Sequence, residues 1–222
     1  MRPRHGSRYH TTPAPLRAFR CVVSPKDSGG DDVAELRHLS DGSLLCLLAD
    51  GATAGGFGKL AASCFVDTMI ESVSSFDRDQ NSLNLIRAFE LTDQRISQLP
   101  QPCETTGIAL LVRDEDFILA ATGDSLAIMR SGEQTTDHIE LSEGQRRKPR
   151  LGKGAPAPYI RTGEVSGTIV LASDGLNMTP FQVFSLLNFA STHYEHFDPA
   201  VFLTECASRR GLFDDLGIVV IE

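Results

Sequence analysis

The chain has 222 residues, 41% of them hydrophobic, and 21 Lys and Arg against 29 Asp and Glu for a formal charge of -8. One sizeable core is within reach, no Pro/Gly/Ser linker of domain-dividing length interrupts it, and the acidic balance argues against nucleic acid as a partner. No run approaches a membrane span and no apolar h-region follows the N-terminus, so a cytoplasmic protein without membrane attachment is expected, with a monomer favoured.

Residues 1–17 hold four arginines, three prolines and no acid, the composition of a flexible basic arm preceding a single domain over 18–222. Strand patterns follow at 18–23, 33–39 and 43–49, with Asp41-Gly42 as the turn between the last two. Helical spacing then runs over 58–74, through Leu60, Ala61, Cys64, Phe65, Thr68, Met69 and Val73. A second helix over 82–98 repeats it with Leu83, Ile86, Phe89 and Ile96, and Asp93 breaks its apolar phase. Segments 105–112, 117–122 and 126–130, joined by short turns, read as a meander of strands. Residues 141–158 read as a long mobile loop carrying Arg146, Arg147, Lys148, Arg150 and Lys153. A strand over 168–173, helices over 179–191 and 199–209, and a strand over 216–221 complete the chain. Strand groups alternating with helix pairs predict an α+β fold of two packed antiparallel sheets with helices outside.

The five cysteines are odd in number and lack C-x-x-C spacing, as expected of small buried thiols in a reducing compartment. His193 and His196 have no third ligand near them in sequence and read as a solvated helix end. Gly56-Phe57-Gly58-Lys59-Leu60-Ala61 matches G-x-G-x-x-A, but it begins too far beyond the preceding strand for a dinucleotide turn, and Gly58-Lys59 lacks the rest of a phosphate-binding loop. No G-x-S-x-G elbow is present.

Four acidic signatures remain: Gly30-Asp31-Asp32, Asp50-Gly51, Asp174-Gly175 and Asp214-Asp215. Each lies at an edge of an apolar run, so a sheet can bring them to one end. Asp-Gly is the commonest turn dipeptide, which is the plainer reading of any one of them. Asp50 and Asp174 differ in that continuous apolar runs end on them, as buried strands delivering a carboxylate do. Gathered carboxylates repel unless a cation sits between them, and such oxygens suit Mg2+ or Mn2+.

In order along the chain, Gly29-Gly30-Asp31-Asp32-Val33, Leu48-Ala49-Asp50-Gly51, Glu104-Thr105-Thr106-Gly107, Thr122-Gly123-Asp124-Ser125, Leu171-Ala172-Ser173-Asp174-Gly175-Leu176 and Asp214-Asp215-Leu216-Gly217-Ile218-Val219 resemble the motif series of the metal-dependent serine/threonine phosphatases of the type-2C, or PPM, family, in particular compact bacterial members. The resemblance implies a four-layer α-β-β-α sandwich with two central, mostly antiparallel sheets. It implies two Mn2+ or Mg2+ ions, with Asp50 bridging them, the Gly51 carbonyl helping to hold one, and Asp174 and Asp214 binding the other. Asp32 would sit in or just behind this ligand set, with Asp31 and Asp215 beside it.

The implied reaction is hydrolysis of phosphoserine and phosphothreonine in a phosphoprotein by a metal-bridging water, with no covalent enzyme intermediate. Asp50 and Asp174 would carry catalysis, Lys26 would stand where the family grips phosphate, and Arg20 would be a second candidate there. Arg146, Arg147 and Lys148 would dock the phosphoprotein. Three departures stand out. Ala52 takes the place of the histidine that follows Asp-Gly in many members, Lys26 replaces an arginine, and Met178 replaces the acid four residues after Asp174, which gives a third ion at Asp124 little support. They motivate an alternative, a catalytically weak phosphatase-like module that binds a phosphoprotein or regulatory partner.

Overall fold

A computed structural model describes residues 16–25, 30–52, 56–73, 81–132, 134, 136–144, 149–155 and 157–222. The strands are β1 (Ala18–Val23), β2 (Val33–His38), β3 (Leu44–Ala49), β4 (Gly107–Arg113), β5 (Asp116–Thr122), β6 (Leu126–Arg130), β7 (His138–Glu140), β8 (Tyr159–Glu164), β9 (Ile169–Ala172) and β10 (Leu216–Ile221). The helices are α1 (Gly58–Val73), α2 (Asn81–Ser97), α3 (Pro180–His193) and α4 (Pro199–Arg209). One sheet has the order β1-β10-β9-β6-β7 and the other β2-β3-β4-β5-β8. Every strand pairing within them is antiparallel.

The continuous apolar runs have a simple cause. Leu44, Cys46 and Leu48 of β3 enter the core between the sheets, while Leu45, Leu47 and Ala49 face the core under α1 and α2. A strand covered on both faces has no position for a polar residue. β9 and β10 do the same on the other side: Ile169, Leu171, Val219 and Ile221 face the sheet–sheet core, and Val170, Ala172, Ile218 and Val220 face α3 and α4. Three apolar interfaces therefore separate four layers, α-β-β-α, as the motif series implies.

The departures from expectation lie at the edges. β7 and β8 fall outside the predicted strands, β7 just before the expected loop and β8 just after it. They are edge strands, half-buried or exposed along their length, so neither carries a continuous or alternating apolar signal. Of the five free cysteines only Cys46 is buried, and the other four are half-exposed.

Residues 149–155, expected to be mobile, are tied down. Leu151 exchanges backbone hydrogen bonds with Thr105 at 2.9 and 3.2 Å, and the amides of Gly152 and Ala155 donate to Asp93 Oδ1 at 2.7 and 3.1 Å. This explains the acid that breaks the apolar phase of α2: Asp93 is buried because it anchors a strap from a distant part of the chain. Asp93→Ala is expected to lower unfolding free energy by about 1–3 kcal/mol by orphaning two amides, as read from denaturant titration. A variant as stable as the parent would show that the strap does not depend on Asp93.

Candidate metal centre and active site

The antiparallel registers bring the strand-end aspartates together. Val33 opposes Ala49, so Asp32 entering β2 lies beside Asp50 leaving β3. Leu126 opposes Ala172, and continuing that ladder past the ends of β6 and β9 sets Asp124 opposite Asp174. Side-chain oxygens of Asp50, Asp124 and Asp174 lie within 4.8 Å of one another. Thr106 holds this end together: its amide donates to the Asp50 carbonyl at 2.9 Å, its hydroxyl accepts from the Asp50 amide at 3.1 Å, and it contacts Ser125 Oγ at 2.7 Å.

The two Asp-Gly steps of the site differ physically from the one in the turn. Gly42 has φ 87°, a left-handed turn conformation. Its neighbour Asp41 is held well below the usual carboxylate range by the Ser43 hydroxyl and amide and by Arg113. Gly51 and Gly175 are instead required for close approach: a Cβ on Gly51 would overlap the Gly58 carbonyl at the start of α1, and one on Gly175 the Asp215 carbonyl. The acids beside them shift upward. Burial, then Asp32 and Asp174, raise the Asp50 pKa to about 8. Asp174 is raised by burial, Asp124 and Asp214.

Asp32 is 1% exposed. Its Oδ2 accepts from Ser173 Oγ at 2.6 Å, and Ser173 Oγ accepts from the Gly217 amide at 2.9 Å. Burial, partly offset by the Ser173 bond, raises its pKa to about 6, with Asp215 contributing. Oδ1 of Asp32 and Oδ1 of Asp215 are buried without a hydrogen-bond partner among the described residues. Asp215 Oδ2 accepts from the Asp31 amide at 2.7 Å. Asp31 itself turns to α1, accepting the Lys59 amide at 3.0 Å in the first turn, where the helix dipole favours a carboxylate. Asp214 is exposed, and its side chain accepts the Asp215 amide at 2.9 Å.

Converging carboxylates, with the proton affinity of Asp32, Asp50 and Asp174 raised, and an unpartnered buried oxygen on Asp32 fit a hard divalent cation. Asp50, Asp124 and Asp174 supply the open face, and Asp32 stands behind Asp50. Asp124, given little weight in the sequence, is part of the tightest group. The sequence signal for it was available, Gly123-Asp124 at the end of an apolar strand, as for Asp50.

Other candidates go elsewhere. The Arg20 guanidinium donates to the Ala34 carbonyl at 2.6 Å and pairs with Glu35 at 3.2 Å. Lys26, Arg146, Arg147 and Lys148 lie outside the described residues. His193 stacks on Phe189 with ring centroids 4.1 Å apart and hydrogen-bonds the Phe189 carbonyl, apart from the acidic cluster. Met178 is buried in the core under α3.

Two antiparallel sheets flanked by helix pairs are an architecture shared with solved bacterial phosphatases. A bacterial serine phosphatase matches with TM-score 0.79 at 14% identity, covering 93% of this chain and 97% of that one. Stp1, a serine/threonine phosphatase from Staphylococcus aureus, matches with TM-score 0.77 at 16% identity, covering 100% and 98%. The catalytic domain of the serine/threonine phosphatase PstP, in complex with two manganese ions, matches with TM-score 0.73 at 19% identity, covering 93% and 97%. At these identities the likeness establishes the fold. No curated protein matches the chain at the level of sequence. The sequence model of protein phosphatase 2C matches residues 26–212. The chain belongs to the protein phosphatase 2C family, and its class is that of a metal-dependent protein phosphatase.

Proposed function

We propose that this phosphatase hydrolyses phosphoserine and phosphothreonine in protein substrates, using Mn2+ or Mg2+ held by Asp50, Asp174 and Asp124, with Asp32, Asp214 and the Gly51 carbonyl completing the ligand set. The observation that carries the reading is the group of three carboxylates within 4.8 Å. The two manganese ions bound by the PstP catalytic domain support the choice of metal. When bound, the ions supply Lewis acidity toward the phosphoryl oxygens and an acidified water for in-line attack. Asp50 and Asp174 accept the cations because their own repulsion is relieved by them. Asp32 and Ser173 hold the rear of the site dry and rigid, since both are buried and bonded to each other. Ala52 offers no proton to the leaving alkoxide, so substrates with good leaving groups are favoured.

Among the described residues no helix is long and apolar enough to cross a membrane. We place the reaction in the cytoplasm, on phosphoproteins. The test is hydrolysis of an aryl phosphate and of a phosphoserine peptide in Mn2+, in Mg2+ and in chelator. Turnover in metal that chelator abolishes is expected. Tight binding of the phosphopeptide without turnover would favour the catalytically weak module, and equal rates in chelator would exclude a metal centre.

A further inference from the structure

The strap over 149–155 carries two cations to the mouth of the acidic cluster. Arg150 Nη2 lies 3.5 Å from both carboxylate oxygens of Asp124, and its Nη1 lies 3.6 Å from Glu104. Lys153 pairs with the other oxygen of Glu104. The backbone on either side of Arg150 is fixed to the strand ends that bear the aspartates: the Pro149 carbonyl accepts from Thr122 Oγ1 at 2.8 Å, and Leu151 pairs with Thr105. Thr105 in turn donates its hydroxyl to the Asp50 carbonyl at 2.9 Å. The backbone that carries Arg150 is thus fixed to the strand ends that bear the aspartates, with the guanidinium beside Asp124.

Its contacts are long. A charge-assisted guanidinium–carboxylate bond settles near 2.7–2.9 Å, so Arg150 is held by Asp124 and Glu104 without being satisfied by either. Its side chain is 30% exposed, and donors remain. Arg20 cannot serve here while it is bonded to Ala34 and Glu35.

We propose that Arg150 grips the phosphoryl group of the substrate, leaving Asp124 for two phosphate oxygens once divalent ions fill the aspartate cluster. This rests on the phosphatase reading above. Without metal, the guanidinium offsets the charge of Asp124 and its neighbours. With metal, those carboxylates are neutralised, the attraction that holds Arg150 to Asp124 falls, and a phosphate dianion becomes the stronger partner. The planar fork matches two phosphate oxygens, whereas a lysine would offer one point charge. Glu104 and Lys153 then act as positioning residues that set the angle of the strap.

The experiment compares the parent chain with Arg150→Ala and Arg150→Lys in three measurements: inorganic phosphate binding by calorimetry in Mg2+, the Mn2+-induced thermal shift, and KM against kcat on an aryl phosphate. Arg150→Ala is expected to weaken phosphate binding and raise KM about ten- to a hundredfold, and Arg150→Lys to recover part of the loss. The thermal shift should persist in both variants, and in Arg150→Ala at equal or lower Mn2+ concentration, because there a competing cation has been removed. Phosphate affinity in Arg150→Ala within about twofold of the parent's would overturn the proposal. So would loss of the Mn2+ shift together with phosphate binding, which would make Arg150 a support for the metal ligands. Failure of the phosphatase reading is separate: it appears as a parent chain without metal-dependent turnover, while phosphate calorimetry still judges Arg150.

Discussion

Asp50→Asn and Asp174→Asn should each lower metal-dependent aryl phosphate hydrolysis about a thousandfold, or roughly 4 kcal/mol of transition-state stabilisation. Both side chains sit in the three-carboxylate group, and an amide in place of either removes a charged oxygen while keeping the shape. Asp41→Asn is the contrast. Asp41 bonds the Ser43 amide at 3.0 Å and pairs with Arg113 in a turn, so its loss should lower stability and leave turnover per folded molecule intact. An Asp174→Asn protein with parental activity would sink the assignment of the catalytic centre to this cluster.

The metal-free protein should lose stability as pH rises, the reverse of what ion-paired carboxylates produce. The Asp32 pKa is raised to about 6 and that of Asp50 to about 8, above the ordinary 3.8, so each favours folding in its protonated form. Their contribution is complete below the unfolded value and is lost as pH climbs through the folded ones, which places the fall in Tm between about pH 4 and about pH 9. Metal should cancel it, since cations require the deprotonated carboxylates. At pH 8, Mn2+ at about a hundredfold over its Kd should raise Tm by roughly 5–10 °C, and by much less at pH 5. Asp50→Asn should flatten the metal-free profile. A Tm that does not change across this range, together with an Mn2+ shift equal at both pH values, would mean that the carboxylates do not share one site.

The periodic signals that the sequence displays are those that strands and helices create locally. β3 and β9 were readable because burial on both faces leaves a continuous apolar run, and the aspartates ending those runs were readable for the same reason. β7 and β8 were not, because neither has a fully buried position to impose a pattern, and neither alternates onto a core as the edge strand β1 does through Phe19, Cys21 and Val23 under α3 and α4. The pair Asp31-Asp32 shows the boundary sharply. Their types and setting are equivalent in sequence, yet Asp32 is buried on Ser173 while Asp31 caps α1.

Local pattern was therefore enough to show the order of layers, the family motif series and the set of carboxylates available. Tertiary structure decided which of them meet: the β6–β9 register set Asp124 opposite Asp174, Ala34 and Glu35 took Arg20, and Asp93 drew in the strap that carries Arg150. The physical reason is that periodicity depends on neighbours a few residues away. A charged side chain goes instead to whatever distant backbone or counter-charge folding brings within hydrogen-bond reach, and for Asp93 that partner is 59 residues along the chain.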